Sequence, residues 1–363
     1  MPLRPLRARR MPGEFGDNED RPTGPWVWLL TGELHLVGLL VVGIAIVAAM
    51  SRSALPTPVA SVVSTEPLMG VVESLAMAPD GRTMASCGGG GTIRRWVPSN
   101  CRYLGEFAEH GLKANCIAYR PDGKVLASGG VDCVVRLWDA ETGALLQALE
   151  GHEGMIRGLA FSPDGKLLAS CGRDKAVHLW DARTGADLKA IFCHSWPVRA
   201  LAFSPDGRTL AVGSSDGEVA LWDVEGHRER LHVRAFQWCV HSLAFSPDGQ
   251  TLAVAAFDPA IRLLDATTGC TRTVLLGHDQ EVFGVAYSSD GRTLASAGVD
   301  HLVKLWDART GRERASFAGH LVAVKAVAFT LDNRALVSGS GDATLRVWDL
   351  TAGLDQGVAE DAE

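Results

Sequence analysis

The chain has 363 residues, a formal net charge of −7, 47% hydrophobic and 21% charged residues, a balance that excludes global disorder. An acidic surplus excludes general nucleic-acid binding, which needs Lys and Arg to replace counterions. Eight Cys in 363 residues are too sparse for a disulfide scaffold, and no CxxC pair is present. The length admits one large domain or two or three ordinary ones. Ten Trp stand against three Tyr, so Trp is expected to recur for a reason.

Residues 1–25 are rich in Pro, Gly and charge, begin with Arg4, Arg7, Arg9 and Arg10, and read as a disordered tail. From Leu36 to Met50 every residue is apolar or Gly. As a helix this run spans about 22 Å, and extension to Leu55 brings it near the ~30 Å hydrocarbon core with Arg52 able to snorkel. Trp26 and Trp28 suit an interfacial belt, so residues 26–55 are expected to be a transmembrane anchor. A cleavable signal peptide ending near Ala49-Met50-Ser51 and a buried core helix are the alternatives; the long leader opposes the first and the lack of a polar face the second. Five Arg precede the run and Arg52 alone closely follows. This charge bias predicts a single-pass topology with the N-terminus cytoplasmic and the remainder outside. Several thiols sit more comfortably in a reducing compartment, which pulls the other way.

Beyond the anchor the chain repeats. A Pro-Asp-Gly-type turn places Asp at 80, 122, 164, 206, 248, 290 and 332, each step 42 residues. A Leu-Trp-Asp box centres on Trp96, Trp138, Trp180, Trp222, Leu264, Trp306 and Trp348, again 42 apart. Each unit reads as four short strands. In one unit these are Ile156–Phe161, Leu167–Cys171, Val177–Asp181 and Leu188–Phe192, with Ser162-Pro163-Asp164-Gly165 as the first turn.

These boxes resemble the WD-repeat (WD40) β-propeller family, of the bacterial type that carries an N-terminal membrane segment. The resemblance covers residues 59–352 and implies an all-β, seven-bladed propeller preceded by one transmembrane helix, with 353–363 as an acidic tail. It also implies a structural tetrad in each blade, formed by the His of a Gly-His pair, a Ser or Thr, an Asp and the Trp. Matching sets are His110, Ser128, Asp132 and Trp138; His152, Ser170, Asp174 and Trp180; His278, Ser296, Asp300 and Trp306; and His320, Ser338, Asp342 and Trp348. Recurrence every 42 residues argues that these Ser/His/Asp sets are structural rather than catalytic.

Three units depart. His194, Asp216 and Trp222 face Val212 in place of Ser; the next unit keeps Asp258 but has Phe236, Val254 and Leu264; the first has Leu68 and Gly90 for His and Asp. These blades are expected to lean on apolar packing, with the Leu264 blade the softest. The last triplet of strands ends at Asp349 without a fourth. Counting back 84 residues from Leu145–Leu149 lands on Ser61–Thr65, which the family resemblance makes the missing strand of the last blade.

Two Trp lie outside the boxes and the apolar flanks: Trp196 and Trp238, 42 apart, just after the Gly-His position. Three residues further on, the units carry Asn115, Arg157, Arg199, His241, Phe283 and Lys325, which by resemblance face the top mouth of the central channel. Arg173 and Phe257 precede the tetrad Asp of their units. Together these predict a basic, aromatic top face that takes an acidic or extended peptide; a merely solvated loop surface is the plain alternative.

Other motifs carry less. Gly213-Ser214-Ser215-Asp216-Gly217 matches a nucleophile elbow but falls in repeat register, where a hairpin is expected. Gly88–Gly91 lacks a following helix and Lys, so no phosphate loop is expected. No metal-ligand spacing appears, and no metal or cofactor is expected. Cys87 and Cys171 share one small-residue position and read as core fillers. The sequence therefore points to a non-enzymatic scaffold binding other proteins or peptides, tethered to a membrane through 26–55. The alternative is a secreted or periplasmic propeller, either an enzyme or a ligand-binding module, released by signal-peptide cleavage.

Overall fold

A computed structural model describes residues 60–63, 70–107 and 110–351, and of 60–63 the backbone alone. The apolar run 36–50, Leu68 and the acidic tail lie outside the described residues. Among the described residues no helix is long and apolar enough to cross a membrane.

Seven four-stranded antiparallel sheets follow one another along the chain. We number these blades one to seven; their strands run from 72–106, 114–149, 156–191, 198–234, 240–275, 282–317 and 324–349. The expected strands of blade three are observed at Ile156–Phe161, Leu167–Gly172, Val177–Asp181 and Asp187–Ile191. The outermost begins one residue earlier than its apolar content suggests. Only three strands of blade seven come from its own repeat; the fourth is Ala60–Val63, antiparallel to Leu345–Asp349 with Val62 opposite Val347.

The turns have a local cause. In blade three, Asp164 accepts from the Ser162 hydroxyl at 2.7 Å and the Lys166 N–H at 3.1 Å, while Gly165 takes φ 69°. Asn333 fills that left-handed place in blade seven at φ 56°, as Asn tolerates. We call the end with these turns the bottom, and the end where inner strands begin the top.

Burial follows strand order. The second strand of each blade is almost wholly buried and the fourth alternates with solvent, as in Leu145–Leu149. The apolar core is divided. Seven buried clusters each join two successive blades, and the seventh joins Val72, Met84 and Trp96 of blade one to Val337, Leu345 and Val347 of blade seven. The ring is thus closed by packing as well as by pairing. Glycine matters at such a contact: a Cβ on Gly339 would lie 2.5 Å from Val72 Cγ1. Cys87 and Cys171 occupy the corresponding position and are buried, and no disulfide links any of the eight cysteines.

Every inner strand carries one irregularity, and it falls at the same place. Register slips between Val72 and Ser74, Ala114 and Cys116, Ile156 and Gly158, Val198 and Ala200, Val240 and Ser242, Val282 and Gly284, and Val324 and Ala326. The inserted residues are Glu73, Asn115, Arg157, Arg199, His241, Phe283 and Lys325. A bulge re-aims the side chain it inserts.

Candidate functional site: tetrads, channel mouth and top loops

The tetrads form as the residue types require. In blade three the Trp180 indole N–H donates to Ser170 Oγ at 2.7 Å, Ser170 bonds His152 Nε2 at 2.8 Å, and His152 Nδ1 meets Asp174 at 2.7 Å. Blade six repeats this with Trp306, Ser296, His278 and Asp300, and blade seven with Trp348, Ser338, His320 and Asp342. Blade two does so with Trp138, Ser128, His110 and Asp132, where Arg136 also grips the carboxylate. All four Ser are 0% exposed and each hydroxyl oxygen is occupied by an indole, so none can reach a substrate. Blade one keeps only its Trp96–Ser86 bond, at 2.9 Å.

Blades four and five diverge in different ways. In blade five Phe236, Val254 and Leu264 are buried in one apolar cluster, with the Arg262 guanidinium 4.8 Å above the Phe236 ring. In blade four the polar members remain around Val212. Trp222 Nε1 has no hydrogen-bond partner, and His194 bonds through Nε2 to the Val212 carbonyl at 3.3 Å, leaving Nδ1 without one. A buried orphaned polar group costs ~1–3 kcal/mol, whereas an all-apolar replacement costs little. Blade four is therefore weakened around Val212, while blade five has buried orphans of its own at Arg262 Nε and His241 Nε2, so both depart from the intact tetrads.

Protonation follows the same environments. Burial holds His110 and His320 below the ordinary imidazole value of 6.5, and burial with Arg199, Arg157 and Lys325 nearby pushes His241 down to about 3. For Asp174 and Asp300 burial acts upward, but bonds from His152 and His278 outweigh it and leave both carboxyls low. For Asp342 burial also acts upward, yet bonds from Thr344, Leu321 and His320 take it to about 2. All these folded values are depressed, so the unfolded chain binds more protons and the stabilisation is lost as pH falls. His232 opposes this: burial acts downward, but bonds to Glu218 and Glu229 raise it, and its contribution is lost as pH rises. The thermal midpoint is expected to fall as pH drops from 6.5 to 4 and further towards 2; a midpoint flat over that range would contradict the assignment.

The seven bulge residues come together as a ring, one from each blade. Glu73 is the member that sequence reading passed over, although it stands 42 residues before Asn115. Its carboxylate holds Lys113 Nζ at 2.8 Å and Lys325 Nζ at 2.9 Å. Lys325 is therefore an ion-paired group, not an open cation, and it also lies 5.6 Å from the Phe283 ring centre. His241 packs on Phe283 at 4.7 Å, and its Nε2 is enclosed without a partner. Asn115 is spent on the Ile156 carbonyl at 2.9 Å. Arg157 and Arg199 come from adjacent blades and close enough to His241 for their charges to act on it.

The top loops bring further predicted residues to the surface. Trp196 is 58% exposed and Trp238 45%, on the approaches to blades four and five. The loop bearing Trp238 passes so near Gly217 that a Cβ there would meet the Phe236 carbonyl oxygen at 2.3 Å. Phe257 is exposed, 6.4 Å from His241 between ring centres, and Arg173 is exposed on blade three. The elbow-like segment 213–217 joins two strands, Thr209–Ser214 and Glu218–Asp223, with no helix. Ser214 Oγ is turned to the Trp196 and Pro197 carbonyls. Gly88–Gly91 likewise leads from one strand to the next.

Closed antiparallel blades, structural tetrads buried within them and a re-aimed ring at the channel mouth define a repeat propeller built to present loops. The WD domain, G-beta repeat model matches residues 65–96, 101–139, 143–181, 185–223, 228–265, 269–307 and 311–349, and the chain belongs to that family. Among curated proteins the chain finds no match. Domains of this family generally bind other proteins and are typically scaffolds without enzymatic activity.

Proposed function

We propose that this chain is a membrane-tethered interaction scaffold that takes an acidic or extended peptide segment on the top face of blades three to five. The observation that carries the reading is the exposure of Trp196 and Trp238, each three residues before a bulge residue, Arg199 and His241. Exposed Trp beside Arg is the composition of interface hot spots. Arg157, Arg199 and Arg173 are the groups assigned to the ligand's acidic side chains. Residues 26–55 supply the anchor, with the N-terminus cytoplasmic and the propeller outside. The link from Met50 to Ser61 reaches at most ~35 Å. The closing strand Ala60–Val63 begins at the bottom of blade seven.

The test is cross-linking in intact membranes with Arg199→Glu plus Trp238→Ala. Partner capture is expected to fall at least ~10-fold, with the chain still in the membrane fraction and its thermal midpoint unchanged. Capture at the parental level would reject the top face, and recovery of the chain in the soluble fraction would reject the anchor.

A further inference from the structure

We infer that blade four holds a zinc-class divalent metal ion between His194, Glu218 and His232. One ligand atom from each of these residues lies within 4.8 Å of the others. His194 is 7% exposed, and its Nδ1 is the orphan left by the missing Ser. Its partner at Nε2 is a carbonyl oxygen, which can only accept, so Nε2 carries the proton and Nδ1 a lone pair. The intact tetrad of blade three has the reverse tautomer: Nδ1 faces an Asp that can only accept, and the Ser hydroxyl donates to Nε2. Loss of one hydroxyl has thus turned a structural imidazole into a ligand.

The other two groups fit the same chemistry. His232 Nε2 lies 2.8 Å from Glu218 Oε2 and His232 Nδ1 lies 3.3 Å from Glu229; both partners only accept, so in the empty site Nε2 carries a proton, which is released to solvent when the metal takes its place. With Nε2 on a metal, the His232 Nδ1–H would donate to Glu229, while the His194 Nε2–H already donates to the Val212 carbonyl. Metal-bound imidazoles are held in this way, with the second nitrogen donating to a carboxylate or carbonyl. Two imidazoles and one carboxylate select a zinc-like ion over Mg2+ or Ca2+, which require oxygen throughout. Tetrahedral coordination at ~2.0–2.1 Å needs ligand atoms about 3.3 Å apart. Glu218 and His232, about a third exposed, can swing the roughly 1.5 Å that closes the gap. The ion would tie the outer strand Arg228–Arg234 to the loop before the blade, in the one blade whose tetrad keeps its polar members but lacks the hydroxyl that joins them.

A second cluster provides the contrast. His152, Asp174 and His178 are as close together, but the tetrad already engages both nitrogens of His152, so that cluster has no orphaned lone pair like that of His194 Nδ1.

The experiment is calorimetric titration of Zn2+ into the full chain, stripped with a chelator and kept in detergent, together with the visible spectrum of the Co2+ form. One ion per chain is expected, with a Co2+ spectrum free of thiolate-to-metal bands. His232→Asn and Glu218→Gln should each weaken binding at least ~10-fold, and His178→Asn should leave it unchanged. The decisive variant is Val212→Ser. It restores the hydroxyl between Trp222 and His194, returns Nδ1–H towards Asp216, and so should raise the thermal midpoint without metal while abolishing the Zn2+-induced rise. Absence of a saturable one-to-one site, or binding that survives His232→Asn or Val212→Ser at parental affinity, overturns the inference.

Discussion

Deletion of residues 59–66 is expected to lower the thermal midpoint of the whole propeller by about 10 °C, not merely to fray one edge. The segment contains Ala60–Val63, whose backbone pairs with Leu345–Asp349 at three registered positions. Losing those bonds costs roughly 3–5 kcal/mol at ~0.5–1.5 each with exposure of the strand behind them, or about 10 °C in a domain of this size. The cost is shared because the core is divided: Val337, Leu345 and Val347 of blade seven pack on Val72, Met84 and Trp96 of blade one. Loosening Leu345–Asp349 therefore opens the contact that closes the ring. It also bares a sheet edge able to pair with another chain, so the deleted protein should aggregate on heating. Scanning calorimetry with light scattering reads both effects, and an unchanged melt would refute closure by this strand.

Ser170→Ala should cost roughly 2–5 kcal/mol, far more than removal of one hydroxyl from a surface. The hydroxyl accepts from Trp180 Nε1 and serves His152 Nε2, and both groups are left unpaired in a fully buried site. Blade four shows that the ring tolerates this arrangement once, around Val212. Urea unfolding gives the loss directly. Amide exchange in Leu167–Gly172 should rise towards that of Thr209–Ser214 in blade four. A change below ~0.5 kcal/mol would mean that the tetrad bonds add nothing beyond packing.

Much of this architecture was legible from one period. A 42-residue step locates the blades, places every blade-three strand limit within a residue, and finds the closing strand by subtraction. Period alone does not report side-chain direction. The bond between Lys325 and Glu73 joins residues 252 apart in sequence, across the seam between blades seven and one. Linear reading counted Lys325 as an open basic group because its partner is invisible until the ring closes. The cluster of His194, Glu218 and His232 was missed for a related reason. His232 sits on an outer strand with no motif of its own, and the tautomer of His194 depends on a carbonyl that Val212 exposes only by lacking a hydroxyl. Glu73 could have been found, since subtracting one more period from Asn115 reaches it.

The bulge in each inner strand separates spelling from grammar. Its extra residue is skipped by the ladder, so its identity is not needed to hold the strands in register. Read around the ring, these residues form a seven-letter word: Glu, Asn, Arg, Arg, His, Phe, Lys. A letter can change while the sheet beneath it keeps its pairing, and the address of every letter is known in advance, since it recurs at a fixed interval from Glu73. A library randomised at these seven addresses would vary the rim of the channel while leaving the strand pairing of all seven blades as written.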